Sequence, residues 1–166
     1  MGRIHVRQAR PGDRDALSRI HADVARYYVR LAPSLFRLPE HGAPAGTPGS
    51  GARSADDQTL RLVAESDGEV VGALFARLLG PDEETKRGPT SDVGGPRLHI
   101  DYLATAAARR RQGVGTSLVE AAEAWGRHAG AATAETTACD GSPLSVPFWE
   151  ERMGYNDGST NHRKPL

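Results

Sequence analysis

Apolar residues along this chain fall into two repeats, one alternating and one at helical spacing, separated by long polar stretches. Ile4 and Val6 alternate with polar neighbours and predict a strand over residues 3–7. After Pro11-Gly12-Asp13, the residues Leu17, Ile20, Val24, Tyr27 and Leu31 recur at helical spacing, with Asp13 placed to cap the helix start. Residues 60–64 and 70–79 read as strands flanking Asp67-Gly68, a dipeptide suited to a tight hairpin because both positions tolerate positive φ. Residues 97–104 predict another strand. Helical spacing returns with Val114, Leu118, Ala122, Trp125 and Ala129, which puts Trp125 on the core-facing stripe and makes Gly130 the left-handed stop. A strand over 131–137, a helix over 144–152 ended by Gly154, and an edge strand from Tyr155 onward complete the pattern. A hairpin followed by a β-α-β unit predicts an α/β fold: a mixed, mostly antiparallel sheet of six to seven strands with helices on both faces.

Two stretches escape both repeats. Residues 33–57 hold four prolines and no apolar periodicity, and residues 80–96 are polar and glycine-rich; both read as mobile loops. The length of 166 residues suits a single domain over 1–166. With 21 basic and 21 acidic side chains the formal net charge is zero, which removes the broad basic field expected of a nucleic-acid binder and gives no pull towards an anionic membrane. No apolar run approaches the roughly 20 residues that cross a bilayer. The N-terminus lacks an apolar signal core, so a soluble, cytoplasmic protein is the expectation. The one cysteine, Cys139, can build neither an internal disulfide nor a cysteine-based zinc site, and the six histidines show no ligand spacing, so no metal is expected.

Candidate chemistry concentrates between Leu103 and Leu118. A strand ends near Ala104 or Thr105, a short loop carries Arg109, Arg110 and Arg111, and a helix opens at Gly113 and Gly115. The first turn of a helix leaves backbone N–H groups without internal partners, and its dipole adds positive potential. Glycines there let an anion approach the backbone, so the segment is suited to a phosphate or pyrophosphate. A dinucleotide fingerprint needs a third glycine where Leu118 stands, and a P-loop needs a Gly-Lys-Ser/Thr triplet that does not occur. Arg110-Arg-Gln-Gly113-Val-Gly115 instead resembles the Arg/Gln-x-x-Gly-x-Gly/Ala signature of the GNAT superfamily of acyl-CoA-dependent N-acetyltransferases. The flanking strand and helix, and the Phe148 to Tyr155 ending, come in the same order.

The resemblance implies a GNAT-like fold with splayed central strands, acetyl-CoA as cosubstrate, and direct acetyl transfer to an amine acceptor. It implies that Arg110, Arg111, Gln112, Gly113, Val114, Gly115 and Thr116 hold the CoA pyrophosphate, and that main-chain groups of Leu103, Ala104 and Thr105 bind the pantetheine arm. Asp101 matches the acidic base on the strand before the signature, with Tyr102 and His99 beside it as further catalytic candidates; His99 and Asp101 share a strand face. Two departures stand out: Trp149 occupies the place of the usual thiol-side tyrosine, and Ser142 that of a common asparagine. They keep a second reading open, a catalytically silent or CoA-sensing GNAT-like binding module. The acceptor-specifying regions correspond to residues 27–57 and 80–96, where Asp82, Glu83, Glu84 and Asp92 lean towards a cationic amine. The family also leaves a homodimer open.

Overall fold

The computed structural model describes residues 2–34, 59–80, 95–138 and 141–155. The chain divides into two compact units, residues 1–136 and 137–166. The first holds strands β1 (His5–Gln8), β2 (Thr59–Ser66), β3 (Glu69–Leu79), β4 (Arg97–Thr105) and β5 (Thr133–Thr136), with helices α1 (Arg14–Leu31) and α2 (Val114–His128). The second holds the short helix α3 (Ser145–Pro147), which runs into a wider π turn over Phe148–Arg152. Both loops predicted as mobile lie almost wholly outside the described residues, as does Cys139.

The strands form one sheet in the order β1-β2-β3-β4-β5, antiparallel from β1 to β4 and parallel between β4 and β5. Among the described residues the sheet has five strands, where six to seven are expected for the whole chain. The strand expected from Tyr155 onward lies outside the described residues except for Tyr155 itself, which is not in a strand. The hairpin at Asp67-Gly68 forms as expected, with φ of 54° and 80° at the two turn residues and Ser66 paired with Glu69.

The core lies between the central strands and α2. Residues 71–76 of β3 are buried without alternation, the mark of a strand shielded on both faces. Leu74, Leu98, Ile100, Leu118, Val63 and Val119 are almost wholly buried. On α2 the stripe in the core is Val114, Leu118, Val119, Ala122 and Gly126, whereas Trp125 is only half-buried. The reason is the close approach of Leu98, whose Cβ lies 3.1 Å from where a side chain at Gly126 would begin. Helix and sheet meet there on a glycine, and the large ring beside it is turned outward. Gly72 does the same for β3: a Cβ at that position would fall 2.6 Å from Val114 Cγ1 and 3.1 Å from the Ala104 carbonyl oxygen. Gly130 ends α2 as expected, with φ of 86°.

Asp13 departs from its expected role. Its carboxylate makes no capping bond to α1 and instead accepts two hydrogen bonds from the Arg7 guanidinium, both at 2.8 Å, and one from the Arg10 N–H at 2.7 Å. Arg7 also pairs with Glu65 on β2, so one guanidinium ties β1 to both its sheet partner and the start of α1. Only 7% of Asp13 is exposed. The Arg7 hydrogen bonds, chiefly, hold the Asp13 carboxyl at about 2, below its ordinary 3.8. The stabilisation from this shift is complete above the ordinary carboxyl value and is lost as pH falls towards the folded one. It amounts to on the order of 2 kcal/mol. In denaturant titrations at successive pH values, wild type should lose its advantage over Asp13→Asn across that acid window. A constant difference between the two proteins through the same window would contradict this account.

Candidate active site

The connection from β4 to α2 leaves the sheet at Ala106, whose N–H donates to the Val71 carbonyl at 2.8 Å. It forms a tight turn over Ala107–Arg109 and then adopts two left-handed residues, Arg111 at φ 60° and Gly113 at φ 87°. A side chain at Gly113 would meet only Ile4 Cδ1, at 3.7 Å, so glycine is needed there for its backbone conformation rather than for room within the protein. Arg111 adopts the same region without glycine's freedom. Gln112 braces the loop by donating from Nε2 to the Ala108 carbonyl at 3.1 Å. The first i→i+4 bond of α2 runs from the Ser117 N–H to the Gly113 carbonyl at 2.9 Å. The amides of Val114, Gly115 and Thr116 precede that bond, at the positive end of a 15-residue helix. Left-handed turns that gather successive N–H groups ahead of a helix make an anion-binding concavity. A pyrophosphate fits this donor set.

The arginines of the loop do different things. Arg109 reaches Asp67 in the β2–β3 turn at 3.5 Å. Arg110 lies over the Tyr27 ring of α1, its Cζ 5.4 Å from the centroid, a cation–π contact that anchors the loop to the helix. Arg111 is exposed.

Beside this turn the sheet opens. β5 pairs with β4 only from Arg97↔Thr133 to Ile100↔Thr136, while β4 continues to Thr105. Thr136 Oγ1 closes the ladder by donating to the Ile100 carbonyl at 3.0 Å. Beyond it Leu103, Ala104 and Thr105 pair only with β3, opposite Leu74, Ala73 and Gly72. Their other backbone edge is left without a strand partner among the described residues.

Asp101 sits where that opening begins. The β3–β4 register steps from Ala76↔Ile100 to Phe75↔Tyr102, which leaves Asp101 as the extra residue of a β-bulge. Its Oδ1 lies 3.0 Å from Arg77 Nη2 and 3.6 Å from His99 Nε2. The Nδ1 of His99 is 3.1 Å from Glu135 Oε1 on β5. His99 and Asp101 therefore come together as the shared face implied. Arg77 and Glu135 carry no mark in the sequence; both stand directly opposite His99 in the sheet register, which no sequence pattern discloses.

Tyr102 points elsewhere. Its ring stacks on Phe75 at 5.3 Å and meets His21 of α1 at 5.8 Å, and its hydroxyl is buried without a hydrogen-bond partner among the described residues. Burial, with a smaller contribution from Tyr28, pushes the phenol well above its ordinary value. At neutral pH it keeps its proton and can donate but not accept one as a base.

In the second unit, Trp149 is buried and contacts the Phe148 ring at 5.1 Å and the Tyr155 ring at 5.0 Å. Ser142 caps the turn into α3: its Oγ accepts from the Ser145 N–H at 3.1 Å. Among the described residues no group of His, Cys, Asp and Glu side chains is arranged to hold a metal ion, and no helix is long and apolar enough to cross a membrane.

No curated protein shows significant sequence similarity to the chain. Among solved structures, the BH1408 protein of Bacillus halodurans, crystallised as a tetramutant, matches with a TM-score of 0.78 at 19% identity, over 98% of this chain and 99% of that one. An aminoglycoside acetyltransferase from an uncultured soil metagenomic sample matches at 0.62 and 20% identity, over 99% of each chain. An aminoglycoside N-acetyltransferase in complex with CoA matches at 0.63 and 15% identity, over 98% of this chain and all of that one. These likenesses establish the fold. The description "Acetyltransferase (GNAT) family" matches residues 22–155, which include β2 to β5, the β4–α2 turn and Trp149, and the chain therefore belongs to the GNAT acetyltransferase family.

Proposed function

We propose that this protein is an acetyl-CoA-dependent N-acetyltransferase that moves an acetyl group directly onto a primary amine of a small molecule or protein. The observation that carries this reading is the left-handed turn at Arg111 and Gly113, which gathers N–H donors ahead of α2 on the connection that leaves the strand bearing the Asp101 bulge. In this reading the amides from Arg111 to Thr116 hold the pyrophosphate, and the unpaired edge of Leu103, Ala104 and Thr105 binds the pantetheine arm. Arg110, held on Tyr27, keeps the loop in place. Asp101 accepts a proton from the incoming ammonium, the freed amine attacks the thioester carbonyl, and CoA leaves as the thiol. The Tyr102 hydroxyl, buried and without a partner among the described residues, takes no part in this step. The family match crosses from the first unit into the second, which supports one domain over 1–166. Contact of Gly72 with α2, and of Tyr102 beside Phe75 with α1, supports helices on both faces of the sheet. The single cysteine is in keeping with a cytoplasmic location.

A second reading, a silent or CoA-sensing module, draws on Trp149, a side chain with no titratable proton, packed between Phe148 and Tyr155. Release of CoA thiol from acetyl-CoA across an amine panel separates the two. The panel should hold polyamines, peptides with free N-termini, and aminoglycosides, the last because two structural neighbours bear that name. Amine-dependent release supports the enzyme; tight CoA binding with no release from any amine supports the module.

A further inference from the structure

We infer that Glu135 is a positioning residue that fixes the His99 ring so that its Nε2 receives the proton Asp101 takes from the acceptor amine. The inference rests on the acetyltransferase reading above. Its basis is a row of side chains laid across three strands: Arg77 on β3, His99 on β4 and Glu135 on β5 are direct neighbours in the register, and the bulge adds Asp101 between Arg77 and His99.

A carboxylate only accepts hydrogen bonds. The 3.1 Å contact between Glu135 Oε1 and His99 Nδ1 is therefore donated by the ring, which leaves Nε2 with its lone pair facing Asp101. A neutral imidazole free in water has no such constraint on its tautomer. Here the ring is held with its basic nitrogen towards the residue that meets the amine. The proton passes from the ammonium nitrogen to an Asp101 oxygen and from there to Nε2. The imidazolium then lies between two carboxylates, and the proton leaves to water from the ring. Nothing is oxidised or reduced, and Glu135 gains and loses no proton.

Exposure along the row suits this order. The His99 and Asp101 side chains are 21% and 17% exposed, while Glu135 and Arg77 at the two ends are 43% and 47% exposed. The reacting pair is sheltered and its orienting partners face outward. Among the described residues, the charged groups around His99 are Asp101 on its own strand, Arg77 on β3 and Glu135 on β5; from α1, His21 and Tyr28 approach the neighbouring Tyr102. A structural salt-bridge row would use the same residues, so the test must move something that packing alone does not.

Two measurements decide it. The first compares wild type with Glu135→Ala in amine-dependent CoA release, using the best amine of the panel. Expected are a fall in kcat of about tenfold or more and an unchanged KM for acetyl-CoA. Unchanged kcat, or a loss carried by KM for acetyl-CoA with kcat in place, would overturn the inference. The second needs no activity: the 15N spectrum of the His99 ring in its neutral form should show the proton on Nδ1 in wild type and on Nε2 in Glu135→Ala. The Nε2 tautomer in wild type would also overturn it. Should wild type release no CoA with any amine, the acetyltransferase reading fails by itself, and the tautomer still decides the role of Glu135.

Discussion

Gly115→Glu should weaken acetyl-CoA binding by at least about a hundredfold while the protein stays folded. Gly115 lies in the first turn of α2, between the left-handed Gly113 and the first intrahelical bond at Ser117. A carboxylate there is harmless to the helix, since negative charge near an N-terminus interacts favourably with the dipole. It is costly to a bound pyrophosphate. Like charges about 4 Å apart near a protein surface repel by roughly 4 kcal/mol, and a hundredfold loss of affinity needs only about 2.7 kcal/mol. Gly115→Gln adds similar bulk without charge and should lose less. Calorimetry of acetyl-CoA binding, with circular dichroism to establish the fold, measures both. A Gly115→Glu protein that binds as tightly as wild type would remove the pyrophosphate site from this turn.

Asp101→Asn should lower kcat/KM for the acceptor amine by about 10²–10⁴-fold, the usual cost of removing a positioned base. The substitution keeps the shape of the side chain and its place in the bulge. The ion pair with Arg77 is lost, but Arg77 is 47% exposed and solvent takes over the guanidinium, so stability should change by less than about 1 kcal/mol. Acetyl-CoA affinity should hardly move, because the turn ahead of α2, the proposed pyrophosphate site, is untouched. Activity should recover partly at high pH, where the amine arrives already neutral. Near-normal activity from about pH 6 to 9 would place the base elsewhere, with His99 the next residue to replace. Trp149→Phe, by contrast, should leave the pH profile where it is, since the ring it replaces carries no titrating proton.

Where sequence pattern and structure part, the cause is a partner distant in the chain. Helical spacing sets Trp125 on the core stripe, because large apolar residues in that repeat usually mark the buried face. The stripe is in fact rotated towards Gly126, where β4 brings the Leu98 side chain to 3.1 Å from the place a Cβ would take. Asp13 has the right type and place for a cap, yet a guanidinium from β1 outcompetes the helix amides for its carboxylate. The 144–152 helix forms as a short helix and a π turn, with Pro147 closing the regular part. Periodicity carries no record of contacts such as those of Leu98 and Arg7.

The sequence by itself determined most of the elements and the left-handed turn that opens α2. Both depend on local physics: alternation and helical spacing sort side chains between water and core, Asp67-Gly68 and Gly130 supply positive φ where turns need it, and Gly113 with Gly115 opens a helix start to an anion. The family signature is local in the same sense, which is why it is legible before any fold is known. Tertiary structure alone decided what surrounds Asp101. A one-residue bulge in β4 sets the aspartate between Arg77 and His99, and the parallel register of β5 puts Glu135 on the far side of the imidazole. Register and bulges arise from how strands far apart in the chain pair and twist, so the row Arg77, Asp101, His99 and Glu135 exists only once the sheet has formed.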